Sequence, residues 1–274
     1  METQTKKYTM MKGIKKIAGA ALVAGTLALN ANAQSVFNGM RGPTNFQLDD
    51  RVSYTDKEAQ NGKETETVGN NAILKYWNGT SRGVFAYLNV PYKQIKSGEN
   101  ESKGIGDIFA GAGPRGEVKI GEGKLAVLSY LGASLPTGAT NSVPALGTGR
   151  TDYKAGFFGT LTDKSKKYEA DLALDYNLTE GKEVSDEFSG GLVMGGRLTD
   201  NVRLVAGPLF NWKTNGKNAG EYTLSGRANI RYTPGGELGK KMHLELWLDR
   251  FLEGKGISAP EENTVLTLVG RFSF

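Results

Sequence analysis

From about Asn45 to the last residue the chain alternates apolar and polar positions with a period of two. The clearest stretch is 168–178. Tyr168, Ala170, Leu172, Leu174, Tyr176 and Leu178 alternate there with Glu169, Asp171, Ala173, Asp175 and Asn177. A strand points successive side chains to opposite faces, so this segment has one wholly apolar face and one mostly acidic face. Residues 201–213, 221–232 and 264–274 repeat the pattern, and weaker versions occupy about 45–55, 66–77, 82–93, 105–116, 124–135, 151–162, 186–198 and 241–251. Clusters of Gly, Asn, Asp, Pro and Lys separate them, as turns require. The pattern predicts twelve strands of ~11 residues, twice the ~5–6 of a soluble strand and the ~9–11 of a tilted membrane-spanning one.

Several features favour a barrel in lipid over a soluble sandwich. Aromatics sit at both ends of the apolar face: Tyr168 and Tyr176 on one strand, Tyr222 and Tyr232 on another. At ~3.3 Å per residue and ~40° tilt these pairs lie roughly 20 and 25 Å apart, close to the ~25 Å apolar band between aromatic girdles. The connections around 56–65, 94–104, 136–150, 179–185, 214–220 and 252–263 are longer and more polar than those around 78–81, 117–123, 163–167 and 199–200, while 233–240 matches the long set. In lipid a sheet must close on itself, because every backbone N–H and C=O needs a partner. Three residues strain the pattern. Pro208 sits mid-strand and removes a ladder donor, which predicts a bulge. Asp50 falls on the lipid face of the first strand, which points to a register slip or bulge there. Arg250 faces lipid near a strand end, where its head can reach water.

The first 33 residues read as an export leader. Lys12, Lys15 and Lys16 precede an apolar run from Ile17 to Leu29, and Ala31-Asn32-Ala33 forms a small-x-small cleavage site. The mature chain then starts at Gln34, with a short segment over 34–44 before a barrel domain over 45–274. Removing the leader takes five lysines and one acid from the 34 basic and 29 acidic residues, which leaves a net charge of +1. The apparent basicity of the full chain is therefore no argument for nucleic acid as a partner. The chain has no cysteine and one histidine, which excludes disulfide scaffolds, thiolate chemistry and His-rich or Cys-based metal sites. Mean hydropathy is −0.39, and no run approaches the ~18 apolar residues of a spanning helix. No cofactor is expected.

In a barrel the charged face lines the interior. The candidate pore-lining residues are Asp171, Asp175, Arg197, Arg203, Arg227, Arg231, Glu245, Asp249 and Arg271, with Asp107, Arg115, Asp152, Lys154 and Glu169 on the same face. Acids concentrate on 168–178 and arginines on 197–231, so opposed walls would set a field across a narrow lumen for a polar or amphiphilic solute. The alternative is ion pairing that fills a small barrel. Catalysis finds little support: His243 lies inward with Glu245 two residues on, and no nucleophile motif accompanies it. Residues 111–116 formally match G-x-G-x-x-G, but a proline interrupts them and no helix follows to bind a phosphate.

Short motifs add a family likeness. Gly104-Ile105-Gly106-Asp107, Leu135-Pro136-Thr137-Gly138, Gly147-Thr148-Gly149 and Gly196-Arg197-Leu198-Thr199-Asp200-Asn201 resemble segments of the outer-membrane proteins of the phenol meta-cleavage pathway type. The likeness covers roughly residues 100–274. It implies an outer-membrane barrel for uptake of aromatic or other hydrophobic compounds and assigns no catalytic residue. The terminal Phe274, on the apolar face, resembles the signal read by the barrel-assembly machinery. The expectation is thus an all-β, 12-stranded antiparallel transmembrane β-barrel in the outer membrane of a Gram-negative bacterium. Its partners would be membrane lipid, the assembly machinery and a small-molecule solute that passes without energy input. A non-conducting structural barrel and an outer-membrane hydrolase are the alternatives.

Overall fold

The computed structural model describes residues 46–59, 64–78, 82–180, 184–216, 218–256 and 260–274. The expected leader and the 34–44 segment lie outside them. The described chain is almost entirely sheet. In order come β1 (Phe46–Ala59), β2 (Glu64–Trp77), β3 (Arg82–Ser97), β4 (Asn100–Ile105), β5 (Ile108–Ile120), β6 (Gly123–Leu135) and β7 (Asp152–Thr162). β8 (Tyr168–Thr179), β9 (Glu187–Arg197), β10 (Val202–Lys213), β11 (Tyr222–Tyr232), a six-residue helix α1 (Gly236–Lys241), β12 (Met242–Lys255) and β13 (Pro260–Ser273) complete it.

Each strand pairs antiparallel with its neighbours, and β13 returns to β1 from Gln47↔Ser273 to Glu58↔Glu262. That last pairing removes the free edges and closes the barrel. β4 and β5 are two halves of one wall strand. β3 pairs with β4 as far as Tyr92↔Ile105 and resumes with β5 at Asn89↔Phe109, with Gly106-Asp107 between the halves. The barrel is therefore a closed 12-stranded antiparallel one, as the alternation predicts.

The register puts the apolar residues outside. Tyr168, Leu172, Tyr176 and Leu178 of β8 are all exposed, as are Leu204, Phe210 and Trp212 of β10 and Tyr222, Ile230 and Tyr232 of β11. An exposed apolar surface of this extent suits lipid, not water. Phe46 and Phe274, the first and last described residues, lie at the end of the barrel that carries the 121–122, 163–167 and 198–201 turns. In the last of these Thr199 Oγ1 accepts from the backbone of Asn201 and Val202 at 3.3 and 3.1 Å. We call this the turn end and the opposite one the loop end.

Three sequence expectations need correction. Residues 94–104 are not a loop: β3 and β4 run through them to a tight turn at Gly98-Glu99, where Gly98 takes φ +62°. Asp50 does face outward, yet the β1 ladder is regular there, with Asp50↔Ala72 and Asp50↔Gly270. Its carboxylate accepts from Asn70 Nδ2 at 2.8 Å, so the polar group is satisfied locally and no slip is needed. Pro208 makes no bulge either. The β9–β10 ladder simply skips Gly207 and Pro208 between Ala206↔Met194 and Leu209↔Gly191, with no change of register.

Candidate functional site

The lumen has two unlike walls. On β1, β2, β8 and β10–β13 the inward positions carry charge. Asp49 Oδ2 accepts from Arg51 Nη2 at 2.6 Å, Lys75 Nζ at 2.7 Å and Arg271 Nε at 3.2 Å. Arg271 Nη1 reaches on to Glu245 Oε1 at 2.5 Å. Arg231 lies 3.6 Å from the other oxygen of Glu245 and extends across β10 and β9 to Glu169 and to Asp171, the latter at 3.1 Å. Arg203 closes on Glu169. The result is one continuous ion-paired belt from β2 round to β8, near the turn end.

Trp247 braces the middle of the belt. Its Nε1 donates to Glu245 Oε2 at 2.6 Å, while the guanidinium groups of Arg227 and Arg51 sit 4.8 and 5.4 Å from its ring. Arg227 also forms a two-pronged pair with Asp249, at 2.6 and 2.5 Å. Planar guanidinium suits both contacts, stacking on an aromatic face and forking onto a carboxylate.

The opposite wall is aromatic. Trp77, Phe85, Tyr87, Phe109, Tyr130 and Phe158 form a buried cluster with Ile73 and Leu128 on β2, β3 and β5–β7. Tyr87 and Phe109 stack with centroids 5.2 Å apart, and Tyr130 meets Tyr87 edge-on at 5.6 Å. Glycines on the same face leave the rings room to lie flat. A Cβ at Gly132 would overlap the Phe109 ring, and one at Gly156 would overlap Tyr130. The walls meet at two places. Tyr130 Oη donates to Asp175 on β8. On β2, Lys75 is the register partner of Tyr87 and is followed two residues later by Trp77.

The sequence-predicted residues Asp171, Arg203, Arg231, Glu245 and Arg271 come together in the belt, with Arg227 and Asp249 beside it and Asp175 at the junction with the aromatic wall. Arg197 does not join them; it lies 3.6 Å from Asp200 at the turn end. The acids and arginines do not form opposed walls, because arginines on β10 and β11 fold back onto β8. His243 shares a hydrogen bond with Thr233 Oγ1 at 2.9 Å. Phe274 is exposed, with its N–H bonded to Phe46 O at 3.1 Å.

Sequence reading missed Asp49, Arg51 and Lys75, because the doubt over Asp50 hid the alternation in the first strand. It also missed the aromatic wall. Inward aromatics interrupt the polar face of β3 and β5–β7, where a girdle would place them outward.

The loop end carries a further assembly. Asp107, in the break between β4 and β5, accepts from Gly138 N at 3.0 Å, Thr148 N at 2.6 Å and Thr148 Oγ1 at 2.8 Å. Thr137 Oγ1 donates to Gly106 O at 2.8 Å and accepts from Ile108 N at 2.9 Å. Three of the sequence motifs thus contact one another and fold the 136–151 connection back onto the wall, with Leu146 buried beneath it.

No family model matches the chain, and no curated protein matches it. Solved structures do. The COG4313 outer membrane channel from Pseudomonas putida F1 superposes with a TM-score of 0.70 at 14% identity, covering 90% of this chain and 100% of that one. The NanC porin gives 0.51 at 10%, over 83% and 100%. The translocator domain of autotransporter NalP from Neisseria meningitidis gives 0.50 at 14%, over 99% and 98%. At these identities the likeness is one of fold: this chain has the fold of outer-membrane barrels.

Proposed function

We propose that the protein is an exported outer-membrane barrel that passes small hydrophobic or aromatic compounds without energy input. The turn end faces the periplasm and the loop end faces outward. The observation that carries the reading is the two-walled lumen. Aromatic faces on one side offer apolar contact, and the ion-paired belt on the other keeps the interior polar and fixed in shape. The barrel-like neighbours support a channel role, and the contacts among the Gly104–Asp107, Leu135–Gly138 and Gly147–Gly149 motifs support the likeness to the meta-cleavage type. On this reading residues 1–33 are removed on export, 34–44 form a short periplasmic segment, and Phe274 marks the chain for the assembly machinery.

One observation favours the non-conducting alternative: Asp49 and Lys75 are fully buried, so the belt fills the lumen at its own level. Planar-bilayer conductance of the detergent-purified barrel, with folding confirmed by heat-modifiability on gels, separates the two. Discrete current steps establish an aqueous path. Their absence from a folded barrel rules out a constitutively open one.

A further inference from the structure

Lys154 differs from the cations of the belt. The belt cations are each matched by carboxylates, but among the described residues Lys154 forms no ion pair. Its ammonium instead lies 5.8 Å from the centroid of the Phe109 ring. It stands on β7 at the edge of the aromatic wall, opposite Gly132 in the register. Gly132 and its partner Gly111 supply no side chain on the lumen face. A Cβ at Gly111 would come within 2.9 Å of Tyr87 and 3.1 Å of Phe109, so the two rings lie along this glycine floor. A cation over a ring is stabilised by the ring's negative face, and more weakly than by a carboxylate.

We infer that Phe109, Tyr87 and Lys154 form a binding subsite for aromatic carboxylates, with the arene on the ring faces and the carboxylate on Lys154. The ammonium lies over the Phe109 ring, and Tyr87 and Phe109 are only 6% and 9% exposed. An arriving arene displaces the ammonium from the ring and in the same step brings it a counter-charge. A neutral arene provides the stacking and leaves the ammonium without a partner. An aliphatic acid provides the charge and loses the ring contact. The subsite therefore selects for both features in one molecule. This deepens the channel reading and rests on it for the route by which the solute arrives.

The test uses the folded full-length mature barrel in detergent, with benzoate, phenol and cyclohexanecarboxylate as probes. Affinity is read by saturation-transfer NMR titration, and conductance is read separately in bilayers. Benzoate is expected to bind most tightly of the three. Lys154→Gln should weaken benzoate about tenfold, as loss of a charge-assisted contact does, and leave phenol unchanged. Lys154→Arg should restore benzoate, and Phe109→Leu should weaken benzoate and phenol alike. Heat-modifiability on gels confirms that each variant is folded. Equal benzoate binding by the parent and Lys154→Gln overturns the proposal, as does equal binding of benzoate and cyclohexanecarboxylate by the parent. A barrel that conducts but binds no benzoate overturns the subsite and keeps the channel. One that binds benzoate through Lys154 but passes no current keeps the subsite and overturns a constitutively open aqueous path.

Discussion

Asp49 and Arg271 face each other across the seam that closes the barrel, 222 residues apart in sequence and 3.2 Å apart between Oδ2 and Nε. Asp49 is the carboxylate that Lys75 and Arg51 both contact, at 2.7 and 2.6 Å. Replacing it by Asn leaves buried Lys75 and Arg51 around a neutral amide, while Arg271 keeps Glu245. Breaking a buried pair in this way costs ~3–5 kcal/mol, because the partners stay buried and uncompensated. Asp49→Asn should therefore lower the unfolding free energy of the barrel by that order, read as a lower denaturant midpoint. Adding Lys75→Met should recover part of the loss, since it removes one unmatched charge. A double-mutant cycle on unfolding in detergent measures the coupling.

Arg231 holds the other end of the belt by spanning from β11 to β8. Arg231→Ala removes the one cation shared by Glu169, Asp171 and Glu245 and leaves the lumen at that level with an excess of negative charge. The expected outcome is higher conductance and a shift of the reversal potential in a KCl gradient toward cation selectivity. Arg197→Ala, at the turn end beside Asp200, should change neither. An unchanged reversal potential in Arg231→Ala would remove the belt from any ion path.

The strand pattern was legible because the period of two survives on every strand of a barrel: lipid enforces one face and the lumen the other. Tyr168 to Leu178 shows it without interruption. What the sequence hid was pairing over distance. Nothing local in 45–55 says that Asp49 meets Arg271, and nothing in 221–232 says that Arg231 passes over two strands to reach Glu169. The aromatic wall was hidden for a different reason. Phe85, Tyr87 and Phe109 sit on the lumen face of their strands, where polar residues are expected, and only glycines on the neighbouring strands make room for them. Pro208 misled because a missing donor can be absorbed by a gap in the ladder as well as by a bulge.

Asp107 pins the 136–151 connection to the wall through two backbone N–H groups and one hydroxyl. Hydrogen bonds to a charged acceptor contribute ~1.5–3 kcal/mol each when shielded and less when solvent reaches them, as it does here. Asp107→Ala should free the connection without unfolding the barrel, because the antiparallel ladders do not depend on it. Amide exchange of residues 138–148 should accelerate while that of β10 and β11 stays unchanged, and limited proteolysis should cut first within 139–146. Thr148→Val, which keeps the backbone bond and removes only the hydroxyl, should give a smaller effect.

Asp186, outside the spanning strands, ties two loop-end connections together. Burial raises its pKa. Hydrogen bonds from Thr179 N at 2.8 Å, Asn215 Nδ2 at 2.6 Å, Tyr176 Oη at 3.0 Å and Thr179 Oγ1 at 3.1 Å outweigh that and hold it below the ordinary carboxylate value. A carboxylate with a depressed folded pKa stabilises the structure at pH above its unfolded value of ~3.9, and that contribution fades as pH falls through the folded value. The loop end should therefore stay ordered from neutral pH down through the usual carboxylate range and loosen only below it. Asp186→Asn keeps an acceptor oxygen but loses the charge, so it should show faster exchange at residues 184–187 and 214–216 at neutral pH and no further change on acidification. If the parent and the variant respond to acid alike, a group other than Asp186 controls the loops.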